Sequence, residues 1–91
     1  MSNVKIVCEI NVFDAQGRFY TQDEEKTILR SAFNIDNLAF ELNEQLNFHN
    51  TNDVILIGDN KEYLKGIREQ LLADCSTEYS NKNLNISILG E

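Results

Sequence analysis

Residues 4–14, VKIVCEINVFD, alternate with the period of two that a strand imposes. Val4, Ile6, Cys8, Ile10 and Val12 fall on one face, and Lys5, Val7, Glu9, Asn11 and Phe13 on the other. Two apolar residues on the second face predict that it too is partly covered. DAQG (14–17) then predicts a turn, with Asp14 opening it and Gly17 supplying the positive φ of a short hairpin loop. RFYTQ (18–22) is the return strand. After the acidic DEE (23–25), KTILRSAF (26–33) is rich in β-formers and predicts a third strand, with an early helical turn as the alternative.

The period changes at residue 34. In NIDNLAFELNEQLNF, Ile35, Leu38, Ala39, Leu42 and Leu46 recur at three and four and form one apolar stripe. Asn34 is a suitable N-cap, with Asp36 in the first turn, where the helix dipole favours negative charge. VILIG (54–58) is continuously apolar, the pattern of a central strand buried on both faces. KEYLKGIREQLLADC (61–75) predicts a second helix burying Leu64, Ile67, Leu71 and Cys75. Gly66 inside it costs about 1 kcal/mol relative to alanine, which implies close packing there. STEYSNKN (76–83) is a loop, and LNISIL (84–89) is a last strand. The order is β-β-β-α-β-α-β, an α/β domain over residues 1–91 with a mixed sheet and two helices packed on it. Strands separated by helices imply parallel pairing through right-handed crossovers.

Composition narrows the function classes. The 91 residues carry 15 acidic and 8 basic side chains, a formal charge of −7. That charge repels phosphate backbones, so direct nucleic-acid binding is disfavoured and a basic partner favoured. No apolar run is long enough for a membrane span and no signal-peptide pattern opens the sequence, so the expected location is cytoplasmic. Cys8 and Cys75 are expected as reduced, buried thiols, with a disulfide between them as the alternative. No Cys or His spacing suggests zinc. The lone His49 reads as a loop residue in NFHNTND. Abundant asparagine without proline suggests an AT-rich bacterial or phage source.

Asp59 follows the apolar run and precedes the second helix. Glu62 lies three residues on, an Asp-x-x-Glu variant of the capping box, so capping is the simpler expectation. The alternative is a ligand role, because open α/β sheets bind at the carboxyl ends of their strands. Glu9, in mid-strand, reads as solvent-facing or as a ligand. Asp23, Glu24 and Glu25, with Glu41, Glu44 and Glu62 on the polar helix faces, are solubilising or partner-binding. The single glycine of IGDNK is no phosphate loop. Asn85-Ile86-Ser87 matches a glycosylation acceptor with no sign of secretion, and Ser76 and Thr77 have no histidine that would activate them.

The element order and the segment DVILIGDNKEYLKGI (53–67) resemble the ribonuclease H-like fold. The match falls on Asp53, Val54, Ile55, Leu56, Asp59, Gly66 and Ile67 of the strand-to-helix segment. NIDN (34–37) falls on the family's Asn-x-x-Glu, and VKIVCE resembles its first strand. The resemblance implies a carboxylate cluster holding Mg2+ or Mn2+ for nucleic-acid cleavage, with Glu9 and Asp59 at ligand positions. The family's helix glutamate, however, falls on the neutral Asn37. Asp36 is about 100° away around the helix and Glu41 a turn farther on. The family's later acidic ligand follows the last strand, where this sequence reads Gly90 and Glu91. The tryptophan-rich basic substrate surface has no counterpart either.

A degenerate, non-catalytic member is therefore expected. The function expected from these readings is a small acidic interaction module, a regulator or inhibitor of a basic protein, acting by nucleic-acid mimicry if that partner binds nucleic acid. It needs no cofactor. The alternatives are a metal-dependent nuclease and self-assembly through the hairpin edge.

Overall fold

A computed structural model describes residues 4–91. The strands are β1 (Lys5–Glu9), β2 (Gln16–Gln22), β3 (Thr27–Asn34), β4 (Asp53–Ile57) and β5 (Asn85–Ile88). Helix α1 (Leu38–His49) follows a 3-10 turn at Ile35–Asn37, and α2 (Lys61–Glu78) joins β4 to β5. The described residues form one five-stranded mixed sheet in the order β3-β2-β1-β4-β5. The hairpin pairs β1-β2 and β2-β3 are antiparallel, and β1-β4 and β4-β5 are parallel. The segment with a helical alternative is strand β3.

Both helices pack on the same sheet face. Cross-strand neighbours share a face, and the register aligns Phe19, Cys8, Leu56 and Ile88 in one row and Thr21, Ile6, Val54 and Ile86 in the next. All eight are buried. All but Thr21 join Leu38, Leu42 and Leu46 of α1 and Leu64 and Leu71 of α2 in a single apolar cluster. The opposite face presents Leu29, Tyr20, Val7, Ile55 and Ser87 in one row. Val7 is buried there, Tyr20 and Ile55 are half-buried, and Leu29 is 57% exposed. Burial of β4 on both faces is thus corrected: Val54 and Leu56 are buried, while Ile55 and Ile57 are only half-covered.

Helix boundaries moved where capping geometry outweighed periodicity. Asn34 accepts from the Asp36 amide, as a cap should, but starts the 3-10 turn. The stripe Ile35, Leu38, Ala39, Leu42 and Leu46 faces the core as expected. His49 lies in the last turn of α1, not in a loop, with its ring edge-on to Phe48 at 4.9 Å. The helix stops after it because Asn50 turns left-handed at φ 52°. Helix α2 runs past Cys75 to Glu78, and Ser80 takes φ 56° beyond it. Cys8 and Cys75 are buried and unbridged.

The glycines act differently from expectation. Gly17 lies in β2 rather than at a positive-φ turn position; among the described glycines only Gly90 has positive φ. A Cβ on Gly17 would meet the Phe33 ring at 2.3 Å, the ring that stacks on Phe19 at 4.2 Å. The turn is set by Asp14, whose carboxylate accepts from the Gln16 amide. Gly66 has open space where a Cβ would go, so close packing does not explain it. The tight position is Gly58, where a Cβ would lie 1.9 Å from the Ile10 carbonyl oxygen.

Two substitutions separate these cases. Gly66→Ala should stabilise by about 1 kcal/mol and raise Tm by roughly 4–8 °C. Gly58→Ala should destabilise by about 1–3 kcal/mol or more, because the clash is with backbone. Thermal melts of both variants check this, and a Gly58→Ala melt at or above that of the parent would contradict the packing described.

Candidate functional site

The carboxyl end of β1 carries Glu9, and Asp59 follows the carboxyl end of β4. Beyond Glu9 the pairing continues for one step, with the Ile10 amide donating to the Ile57 carbonyl at 2.9 Å. Asp59 then accepts from the Val12 amide at 3.0 Å, and its own amide donates to Asn11 Oδ1 at 3.0 Å. These two reciprocal bonds clasp the exit of β1 to the exit of β4. Asp59 is therefore not the cap of α2. That role belongs to Asn60, in extended conformation, whose Oδ1 accepts from the Tyr63 amide at 3.0 Å. Glu62 closes no capping box with Asp59 and instead pairs with Lys65 at 3.3 Å.

Glu9 points to the open face of the sheet. It accepts from the Tyr20 hydroxyl at 3.0 Å and lies 3.6 Å from Arg18 Nη1. Asp36 lies on the helical layer beside the end of α2, and Glu41 is half-buried in the first turn of α1. Among the described residues, no three His, Cys, Asp or Glu side chains are grouped to hold a metal ion. Glu9 and Asp59 each answer to neighbours of their own, and this arrangement does not fit a two-metal centre.

The acidic residues singled out for a partner are dispersed. Asp23 organises the β2-β3 turn, accepting from the Glu25 and Lys26 amides at 2.8 and 2.9 Å. The Glu25 bond first and the Lys26 bond second hold its carboxyl below the usual range. Glu24 and Glu25 are exposed at that hairpin tip, Glu44 is exposed on α1, and Glu62 lies in the first turn of α2.

A different acidic set is gathered where α1 and α2 meet. The apolar floor of a groove of about 420 Å³ comprises buried Leu38 and Leu71 with half-buried Ile35, Ala39 and Ile67, and Phe40, Asp36, Asp74, Glu78 and Tyr79 also line it. Phe40 is 52% exposed there. No lysine or arginine is among its lining residues. The sequence contains the cause: residues 31–60 and 69–81 hold no lysine or arginine at all. That charge gap was the available signal, and helical periodicity alone could not show that the two segments meet. Burial first, then Glu78, Cys75, Asp74 and Glu44 in that order, push the Tyr79 phenol upward.

Charge opposes the dipole at the C-terminal end of α2, although Glu62 in its first turn matches it. Lys61, Lys65 and Arg68 occupy its first half, while its last turn has no basic residue. The cations are engaged locally: Lys61 donates to the Gly90 carbonyl at 2.6 Å, and Arg68 meets Glu91 at 2.8 and 3.3 Å. Asp74 is met by neutral Gln70 at 2.9 Å. An uncompensated carboxylate near a helix C-terminus costs on the order of 0.3–1 kcal/mol.

No family model matches this chain, and no curated protein or solved structure is similar enough to count as a match. Among the described residues no helix is long and apolar enough to cross a membrane.

Amide exchange distinguishes clasp from cap. Asp59→Ala should cost about 1 kcal/mol and speed exchange at Val12 while leaving Tyr63 protected. Asn60→Ala should cost about 0.5–2 kcal/mol and do the reverse. Faster exchange at Tyr63 in Asp59→Ala would restore Asp59 as the cap.

The alkaline flank follows from four raised groups. Burial, then Glu9, raises the Cys8 thiol; burial, then Asp74 and Glu78, raises Cys75. The Glu9 hydrogen bond, then burial, raises Tyr20, and Tyr79 is raised as above. Folded values above unfolded ones give stability that is present below the unfolded pKa and lost as pH rises. With thiols ordinarily near 8.5 and tyrosines near 10, urea midpoints should decline from about pH 8.5 upward. An unchanged midpoint between about pH 7 and pH 10 would contradict this.

Proposed function

We propose that the protein is a small, acidic, non-enzymatic interaction module that regulates or inhibits a partner with a basic surface. One observation carries the reading: three carboxylates, Asp36, Asp74 and Glu78, line one groove between the helices that has no basic lining residue. Glu9, Glu62 and Glu91 pair with Arg18, Lys65 and Arg68, but Asp36, Asp74 and Glu78 share a groove with no basic lining residue. Native structures break local rules mainly where function compensates, and the acidic C-terminal end of α2, with no basic residue in its last turn, is such a break. A second copy would bring like charge to like charge, so self-association through this surface is disfavoured.

We also read the fold as a degenerate member of the ribonuclease H-like class. Its support is the element order, with hairpins first and two helix-linked parallel strands after. In that reading the strand-end carboxylate at Asp59 has become a structural clasp.

The test starts with proteins retained by the immobilised chain at low salt, which are then purified and titrated individually by calorimetry. Genuine partners should be basic. Association should weaken about tenfold or more between ionic strengths of roughly 0.05 and 0.5 M. If the partner binds nucleic acid, duplex DNA should compete with the chain. Salt-independent binding would overturn the reading. So would Mg2+- or Mn2+-dependent cleavage of nucleic acid that is abolished in Asp59→Asn, which would establish a nuclease instead.

A further inference from the structure

We infer that the groove between α1 and α2 is the docking site for a cationic amphipathic helix of the partner. This rests on the interaction-module reading and assigns its binding site. Three independent features converge on this occupant. The floor is apolar and partly open: Ile35, Ala39 and Ile67 are half-buried against the core and Phe40 stands 52% exposed. The margins are acidic, with Asp36 contributed from the α1 side and Asp74 and Glu78 from α2. The C-terminal end of α2 adds the negative pole of its dipole to these carboxylates, with no basic residue in its last turn.

Each feature excludes a class of occupant. A purely hydrophilic basic tail would leave Phe40 and Ile67 uncovered. An apolar or acidic segment would bury carboxylates without counter-charge, which is strongly unfavourable. A nucleic acid would meet like charge. A helix with apolar side chains at i, i+3/i+4 and i+7 and Lys or Arg flanking them matches the floor and both margins at once. The lining stretch Ile67–Glu78 spans about 16 Å of α2 at 1.5 Å per residue, on the order of three turns of a docked helix.

The test uses a synthetic Leu/Lys peptide patterned as an amphipathic helix of about 15 residues, titrated into the full chain. Calorimetry gives affinity, and amide chemical shifts give location. Shifts should centre on residues 35–40 and 67–79. Asp74→Asn with Glu78→Gln should weaken binding about tenfold or more. Phe40→Ala should weaken it several-fold without lowering Tm, since that ring is largely outside the core. The charge-matched control, Asp14→Asn with Glu69→Gln, should change affinity by less than about twofold.

A Gly/Ser/Lys peptide of equal charge should bind far more weakly; equal binding would overturn the apolar floor as part of the site. If Glu24→Gln with Glu25→Gln weakens binding more than the groove pair, the groove assignment falls. The acidic-module reading would then stand, with its site at the hairpin tip. If neither cationic peptide binds even at low salt, both the groove and the reading behind it are overturned.

Discussion

The structure depends on the parallel contact between β1 and β4. Among the described strands β1 is the one that joins the antiparallel half of the sheet to the parallel half, pairing with β2 on one side and β4 on the other. Local hairpin contacts can hold β1, β2 and β3 together, but β4 reaches its place only after the chain has passed through α1. The carboxyl end of that parallel pair is fixed from both sides. The backbone of Gly58 passes so close to Ile10 that no side chain fits, and Asp59 and Asn11 exchange bonds with the opposite chain. A carboxylate at the end of a central strand can thus be as much a splice as a site.

From that contact follows a core on one face. Once β1 and β4 are in register, Ile6, Cys8, Val54 and Leu56 form a continuous apolar surface that α1 and α2 must cover. Both helices are spent on this face. The other face relies on neighbouring strands for cover, which suffices for Val7 but leaves Leu29 largely exposed.

The pattern of apolar positions was enough to read the element order, the helix stripes and the alternating strands, because burial on one face imposes a period on each. It misread features decided by single atoms. Asp59 and Asn60 are adjacent and equally able to cap, so only the backbone angles and the reach of Asp59 across to Val12 assign their roles. Gly66 and Gly58 look alike as letters, yet one sits in open space and the other against a carbonyl. The β4 run looked buried on both faces because apolar content does not reveal which layer is missing. The acidic groove was half visible, in two long segments without lysine or arginine. Their juxtaposition is a property of the tertiary structure, in which residues 35–40 and 67–79 meet.

That juxtaposition has an energetic meaning. Helix α2 would be more stable as an isolated helix with a cation in place of Glu78, at the negative end of its dipole. Lys61 and Arg68 are instead drawn to the end of the chain, where they hold Gly90 and Glu91 beside the first half of the helix. This uses cations where they secure the C-terminal segment after β5 and leaves Asp74 and Glu78 uncompensated. Among the described residues Asp74 is met by neutral Gln70 and not by a cation. A positively charged surface brought to the groove would supply one, and would relieve the helix of the repulsion at its C-terminal end.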